Sequence, residues 1–426
     1  MTRVRKYHLA LIGVSMLILI VSVVRVISGQ NDITSSGTFT AALMLSVPIG
    51  LAGLGGLWAE RAGVVNIGLE GMMVLGTWFA GWAGYQWGPF AAVVAGLLAG
   101  ALGGLIHAIA TVGFGVDHII SGVAINLVGP GITRFLSEVL YKEGTPAAEA
   151  GAGITTSPAM SGEAWHLSLP WLSSGPDLFG TLERTHWFLI SDLAGILGGL
   201  TRNVDVLVVL AIILIPLTFF VLWHTAFGLR LRSVGENPWA AESLGVNVYG
   251  YKYIAVVISG AMAGLGGVFL VFGVTKYVEG QTAGKGFIGL AAMIFGNWRP
   301  GGLALGASLF GYADALKIRT SGAVTSIFLF GAILLLFYLG NKIRLLVRPN
   351  QPVELGGRTA KDYTIMAGAA AAAVILIWMW MVIDQLPNEL VFITPHVLTL
   401  LVLLVASQRL RMPKADGVRY RRGEQH

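Results

Sequence analysis

Trp58-Ala-Glu-Arg-Ala-Gly-Val-Val-Asn-Ile-Gly-Leu-Glu-Gly-Met-Met-Val-Leu-Gly-Thr-Trp78 is the stretch around which the rest of the chain is read. A polar turn, Glu60-Arg61, lies between two apolar runs, and the second run carries Asn66 and Glu70 near its start. On a helix Asn66, Glu70, Met73 and Thr77 share one face, because steps of three and four residues return to the same side. A carboxylate inside a membrane-length segment costs roughly 2.5–3.5 kcal/mol on insertion scales, so it should face protein or water. Two readings stand side by side. In one, Glu70 caps a helix start or reaches interfacial water, since the first turn of a helix favours acids. In the other, the face lines a polar path.

Composition sets the class. Of 426 residues, 55% are hydrophobic and 12% charged, against about 25% charged in soluble domains. Apolar runs of spanning length recur from end to end, which reads as an all-α, polytopic membrane protein. The chain has no cysteine, which excludes disulfides, iron–sulfur clusters and thiolate metal sites. The net charge of +6 is a loop bias and not a nucleic-acid surface.

Arg3, Arg5 and Lys6 precede an apolar run at 9–27. That run is too long for a secretory signal and lacks a cleavage site, so it reads as an uncleaved first helix entered from the cytoplasm. Further runs cover 40–57, 66–85 and 90–112. The last carries Gly96, Gly100, Gly104 and Ala108 at four-residue intervals, a spacing that lets two helix backbones approach. His107 beside it reads as a hydrogen-bonded packing residue. Asp117 reads as a helix entrance to a run reaching residue 140, along which Arg134 and Glu138 can pair.

Residues 142–200 differ, with several prolines and with Trp165, Trp171 and Trp187. The segment is poor in basic residues and reads as an outer loop, with an interfacial helix at 181–200. After a span at 204–223 comes a basic loop, 225–252. In it Asn237 suits an N-cap, Pro238 the first helical position and Gly245 a helix end. A helix of about two turns is expected there, serving as a connector or a docking element.

The remaining runs are 253–274, 286–298, 302–316, 324–340, 363–383 and 391–407. Alternating them places Arg299, Lys342, Arg344, Arg348 and the basic residues of 409–422 inside, with both termini cytoplasmic. About twelve crossings result, fewer if 286–298 is a half-helix. The division expected is 1–39 as first helix and loop, 40–340 as core, and 341–426 as a two-helix extension with a basic tail.

A weak repeat joins the halves. Ala52-Gly-Leu-Gly-Gly56 precedes Ile67-Gly-Leu-Glu-Gly-Met-Met73, and Ala263-Gly-Leu-Gly-Gly267 precedes Ile288-Gly-Leu-Ala-Ala-Met-Ile294. An odd number of spans between the copies makes them antiparallel, as in transporters whose sites lie at a repeat interface. Enzyme motifs are lacking. Gly280-Gln-Thr-Ala-Gly-Lys-Gly286 is one residue too short for a phosphate loop.

Glu60-Arg-Ala-Gly-Val-Val-Asn-Ile-Gly-Leu-Glu-Gly-Met-Met73 resembles the signature of membrane subunits of bacterial ABC importers in the branched-chain amino acid/ribose permease superfamily, in its nucleoside-permease form. Val234–Gly245 resembles that family's ATPase-docking loop, and Thr282–Trp298 its second-half segment. The resemblance covers about 40–340 and implies about ten core helices with an inverted repeat, in the bacterial plasma membrane. It implies three partners besides lipid: an ATP-binding subunit, a second related permease and an extracytoplasmic binding lipoprotein. ATP and magnesium would be bound by the partner ATPase, and this chain would hold no cofactor. Glu236, Asn237, Pro238, Ala241, Glu242 and Gly245 would dock the ATPase. Asn66, Glu70 and Trp78 from one copy, with Gln281, Thr282, Phe287, Asn297 and Trp298 from the other, would line the substrate path. The alternative is a stand-alone proton- or sodium-coupled transporter with Glu70 and Asp314 as coupling carboxylates.

Overall fold

Short polar side chains start the helices where the sequence places them. Asp117 accepts hydrogen bonds from the Ile119 and Ile120 amides at 2.9 and 3.1 Å, and Thr225, Asn237 and Asn247 each cap the helix that follows. In the computed structural model residues 3–141, 155–162, 166–167, 178–201, 204–319, 321–346, 358–383 and 411–423 are described. The expected span at 391–407 and much of 142–177 lie outside the described residues.

The first half contains α1 (Arg3–Ser28), α2 (Ser36–Arg61), α3 (Leu69–Trp87), α4 (Pro89–Ala108) and α5 (His118–Leu140). Next come α6 (Leu178–Glu183), α7 (Ile190–Thr201), α8 (Val206–His224), α9 (Ala226–Glu236) and α10 (Pro238–Ser243). The second half has α11 (Val248–Val274), α12 (Lys285–Phe295), α13 (Pro300–Arg319), α14 (Ser321–Leu346) and α15 (Arg358–Val382). Two-residue strands β1 (His166–Leu167) and β2 (Val204–Asp205) pair antiparallel. Among the described residues seven helices are both long and apolar enough to cross a membrane, and the chain is a multi-pass membrane protein.

Three expectations change in detail. The run at 66–85 becomes helical only at Leu69, so Asn66 does not share a helix face with Glu70. The Asn66 side chain accepts from the Gly68 amide at 3.1 Å, a local bond that competes with the helix. The interfacial helix expected at 181–200 is two helices, broken where His186 and Leu189 take φ of 53° and 64°. The run at 286–298 is an 11-residue helix, α12. At 1.5 Å per residue it covers roughly 16 Å, half a bilayer core, so it is not a full crossing.

The chain divides into two compact units. One comprises Met1–Ala42, Pro170–Arg202 and Tyr312–Thr394. Its core gathers Ile20, Val24, Ile33, Leu316 and Leu329. Within it Arg25 and Asp192 form a buried ion pair at 2.6 Å, and α14 packs on α15.

The other unit comprises Leu43–Leu169, Asn203–Gly311 and Pro395–His426. At its centre α4 crosses α11 at a glycine joint. A methyl on Gly100 would lie 2.6 Å from the Gly264 Cα, and one on Gly260 would lie 2.8 Å from the Gly104 Cα. The small-residue stripe expected at 96–108 is thus a contact between backbones inside one chain. Helix α2 runs antiparallel to α11, since Pro48 meets Gly266 while Gly55 meets Ser259. Helix α12 follows the direction of α2, with Gly289 against Gly53 and Trp298 against Glu60. Helix α3 runs with α11, from the Asn66–Ser259 bond toward the Gly81–Tyr277 contact. Both helices of the first repeat therefore oppose their counterparts in the second, as an inverted repeat requires.

Candidate functional site

The half-helix α12 is the centre of the candidate site. Beyond α11 the chain pairs with part of the long loop. Met160 N donates to Thr275 O at 2.7 Å, Ser157 N to Tyr277 O at 3.0 Å, and Glu279 N to Thr155 O at 3.0 Å. Gly280, Ala283 and Gly284, with φ of 77°, 46° and 77°, then turn it back into the bundle. The first amides of a helix have no partner within the helix and carry its positive dipole end. Here Glu70 supplies the partner. Its carboxylate accepts from Gly284 N at 3.0 Å and from Gly286 N at 2.7 Å. Gly286 has to be glycine at this closeness, since a methyl there would stand 2.6 Å from the Glu70 Cα.

The depth of this contact follows from helix geometry. Gly81 of α3 touches Tyr277 at one end of the bundle, and Glu70 lies roughly 16 Å further along α3. Helix α12 then spans a similar length to Trp298. The capping carboxylate stands midway between these two ends, whose separation matches a membrane core about 30 Å thick. Helix starts at mid-depth, in matching positions of the two halves, are where transporters of this construction hold their solute.

The expected path residues do not all come together. Glu70, Gln281, Thr282 and Phe287 cluster at the start of α12. Gln281 accepts from Val278 N at 3.0 Å through its Oε1, and its buried Nε2 has no partner among the described residues. Phe287 is 47% exposed, whereas Thr282 is buried. Asn66 is wholly buried and donates to Ser259 Oγ at 2.9 Å, which ties the turn before α3 to α11. Trp78 is buried, donates to Ser137 Oγ at 2.8 Å and packs on Phe79 and Trp82, so it anchors α3 to α5. Asn297 and Trp298 lie at the opposite end of α12.

That opposite end is the basic end of the unit. Asn297 and Trp298 take positive φ, 55° and 52°. Trp298 donates from its indole to Glu60 Oε2, and its carbonyl accepts from Arg61 Nε at 3.0 Å. Arg61 and Arg232 both sit against the Trp223 ring, at 5.2 and 5.4 Å from its centroid. Asp416, from the last described segment, is buried near Glu60, and among the described residues neither of its carboxylate oxygens has a hydrogen-bond partner. Burial, and next the nearby Glu60 carboxyl, pushes the Asp416 carboxyl up to about 9. Two buried carboxyls this close hold a proton, as like charges disfavour double ionisation.

Beside this cluster lies the short helix α10, capped by Asn237, whose Oδ1 accepts from Ala240 N at 3.0 Å. Gly245 leaves it with φ of 79°. Pro238 and Ala241 are buried and hold the helix down, while Glu236, Asn237 and Gly245 are exposed and Leu244 is 84% exposed. Glu242 pairs with Arg422 at 3.1 Å. Sequence reading placed the basic residues of 409–422 on this side but gave Glu60 and Asp416 no role here. The carboxylates weighed as coupling groups are engaged, Glu70 on two amides and Asp314 with Lys317 at 3.6 Å.

Comparison with known proteins adds the lineage. Residues 38–338 match the family model described as branched-chain amino acid transport system, permease component. The chain is 35% identical over 387 residues to the nucleoside ABC transporter permease protein NupC of Lactococcus lactis, covering 89% of this chain and 94% of that one. It is 33% identical over 393 residues to the guanosine ABC transporter permease protein NupQ of Bacillus subtilis, covering 90% and 96%. A second Bacillus subtilis protein, the guanosine ABC transporter permease protein NupP, is 28% identical over 275 residues, covering 62% and 69%. NupC and NupQ match more of the chain than the family model spans. No solved structure matches.

Proposed function

Since the chain belongs to the branched-chain amino acid transport permease family, we propose that it is one membrane subunit of an ATP-driven importer of nucleosides. The observation that carries this is the near end-to-end match, at 35% and 33% identity, to permeases named for nucleosides and for guanosine. NupQ and NupP come from one organism and carry one substrate name, which supports a second, related permease as partner. An ATP-binding subunit would hydrolyse ATP with magnesium against α10, in the cytoplasm. An extracytoplasmic binding lipoprotein would deliver the solute at the end formed by 155–161 and 275–279.

Within this reading the start of α12 contributes the solute contact of this subunit. A nucleoside offers base edges and ribose hydroxyls, so neutral donors and acceptors suit it better than fixed charge. Gln281 Nε2 and Thr282 provide such groups, and Phe287 provides an exposed ring to stack on a base. Glu70 orders this end of α12 without facing the solute as a free charge. A secondary transporter needs a carboxylate free to exchange its ion, and the engagement of Glu70 and Asp314 supports the importer instead.

The test is uptake by the reconstituted complex of both permeases, ATPase and lipoprotein, offered labelled guanosine, other nucleosides and glucose. Nucleoside accumulation that requires ATP and persists when proton and sodium gradients are collapsed is expected. Accumulation that follows the ion gradient without ATP would overturn the proposal.

A further inference from the structure

The segment 411–423 was expected only as part of a basic tail, yet it lies folded against the unit that holds α12. Its backbone is tied at two places. Arg411 N donates to Asn297 Oδ1 at 2.7 Å, at the end of α12, and Ala415 N donates to Gly235 O at 2.9 Å, at the end of α9. Just after the second tie Asp416 is buried near Glu60, at the end of α2. Gly417, with φ of 77°, turns the chain over Val65.

The segment then reaches the docking loop. Tyr420 is buried, its ring 6.0 Å from that of Trp239 and 5.3 Å from that of Tyr249. It completes an apolar pocket with Val234, Ala241 and Val248. Arg422 meets Glu242 at 3.1 Å. Helix α10 has six residues, too few to be stable without tertiary support. Tyr420 and Arg422 supply part of that support from a segment also pinned to the ends of α2 and α12.

We propose that residues 411–423 are a coupling strap: they join α10 to the inner ends of α2 and α12, so that displacement of α10 reaches the half-helix. The proposal rests on the importer reading given above and names a positioning element for its ATP-driven cycle. Tyr420 is its anchor on the α10 side, and Asp416 and Arg411 are its anchors on the other.

The experiment compares the reconstituted wild-type complex with a chain ending at residue 410 and with Tyr420→Ala and Tyr420→Phe in the full chain. The readout is labelled guanosine imported per ATP hydrolysed. Truncation and Tyr420→Ala should leave the complex assembled and hydrolysing ATP while this ratio falls at least fivefold. Tyr420→Phe, which keeps the ring, should stay within twofold of wild type. Should the truncated chain fail to insert, Tyr420→Ala decides alone. An unchanged ratio in Tyr420→Ala would overturn the strap. So would loss of ATPase binding, since the segment would then be part of the docking surface itself. A wild-type complex without ATP-driven uptake would overturn the importer reading, whereas normal wild type beside a normal Tyr420→Ala overturns the strap alone.

Discussion

The two ends of α12 are held by opposite strategies. At its start a single carboxylate, Glu70, takes two backbone amides midway along the bundle. At its finish, Trp298 is gripped twice, by Glu60 on the indole and by Arg61 on the carbonyl, and Asn297 receives the amide of Arg411. One end depends on one residue and the other on a network. A single substitution should disable the first more thoroughly than the second, because a network shares its loss among neighbours.

Glu70→Gln is the most severe way to press on this difference. Glutamine keeps one acceptor oxygen but sets an NH2 against a helix amide, and charge-assisted hydrogen bonds contribute about 1.5–3 kcal/mol each. A loss of about 2–3 kcal/mol is expected, read as a lowered Tm and a lower yield of folded protein. Uptake per folded molecule should change less. An unaltered Tm with altered transport would make Glu70 a solute contact and erase the contrast between the ends.

Trp298→Phe removes the indole donor from Glu60. Arg61 still holds the backbone carbonyl of position 298, so the loss should be smaller, about 1–2 kcal/mol by thermal unfolding. A drop larger than that of Glu70→Gln would show that the network end is the weaker one.

The effect confined to the shortest segment concerns pH. The Asp416 carboxyl is held up to about 9 by burial and by Glu60, with Lys252 and the Gly417 amide opposing. A detached segment would ionise at the ordinary value of 3.8. Between those values the attached form binds a proton that the detached form lacks, so attachment is strongest at low pH and weakens as pH rises toward 9. Amide exchange in 411–423 should therefore quicken with pH beyond its intrinsic rise, and Asp416→Asn should flatten that excess. An excess identical in both proteins would separate the carboxyl pair from the attachment.

What the sequence made legible was local. Asp117 and Asn237 announce helix starts because a side chain and the amides it caps lie within three residues of each other. The glycine stripe at 96–104 announces a close helix contact because its spacing repeats. The acidic first turn at Glu70 could be read as a cap or as a path, and the cap it makes serves α12, a helix more than two hundred residues away. Contacts of that kind leave no periodic trace. The indole of Trp298 on Glu60, the pairing of 155–160 with 275–279 and the return of 411–423 to Gly235 each join distant residues. Local propensity carries no term for them. Basic residues at 411–422 read as a tail because charge alone was visible, while the buried Asp416 and Tyr420 among them looked unremarkable.

The glycine joint between α4 and α11 has a mechanical consequence. Its backbones meet where any side chain would collide, with Val256 and Val268 flanking Gly260 and Gly264. Sliding one helix along the other would bring a branched side chain to a place with room for a hydrogen atom. The joint is keyed in a single axial position, like a shaft pinned in its collar. Axial sliding of these two helices is barred at the centre of the bundle. Helix α12 is keyed in the same way, its Gly286 against Glu70 and its Gly289 against Gly53.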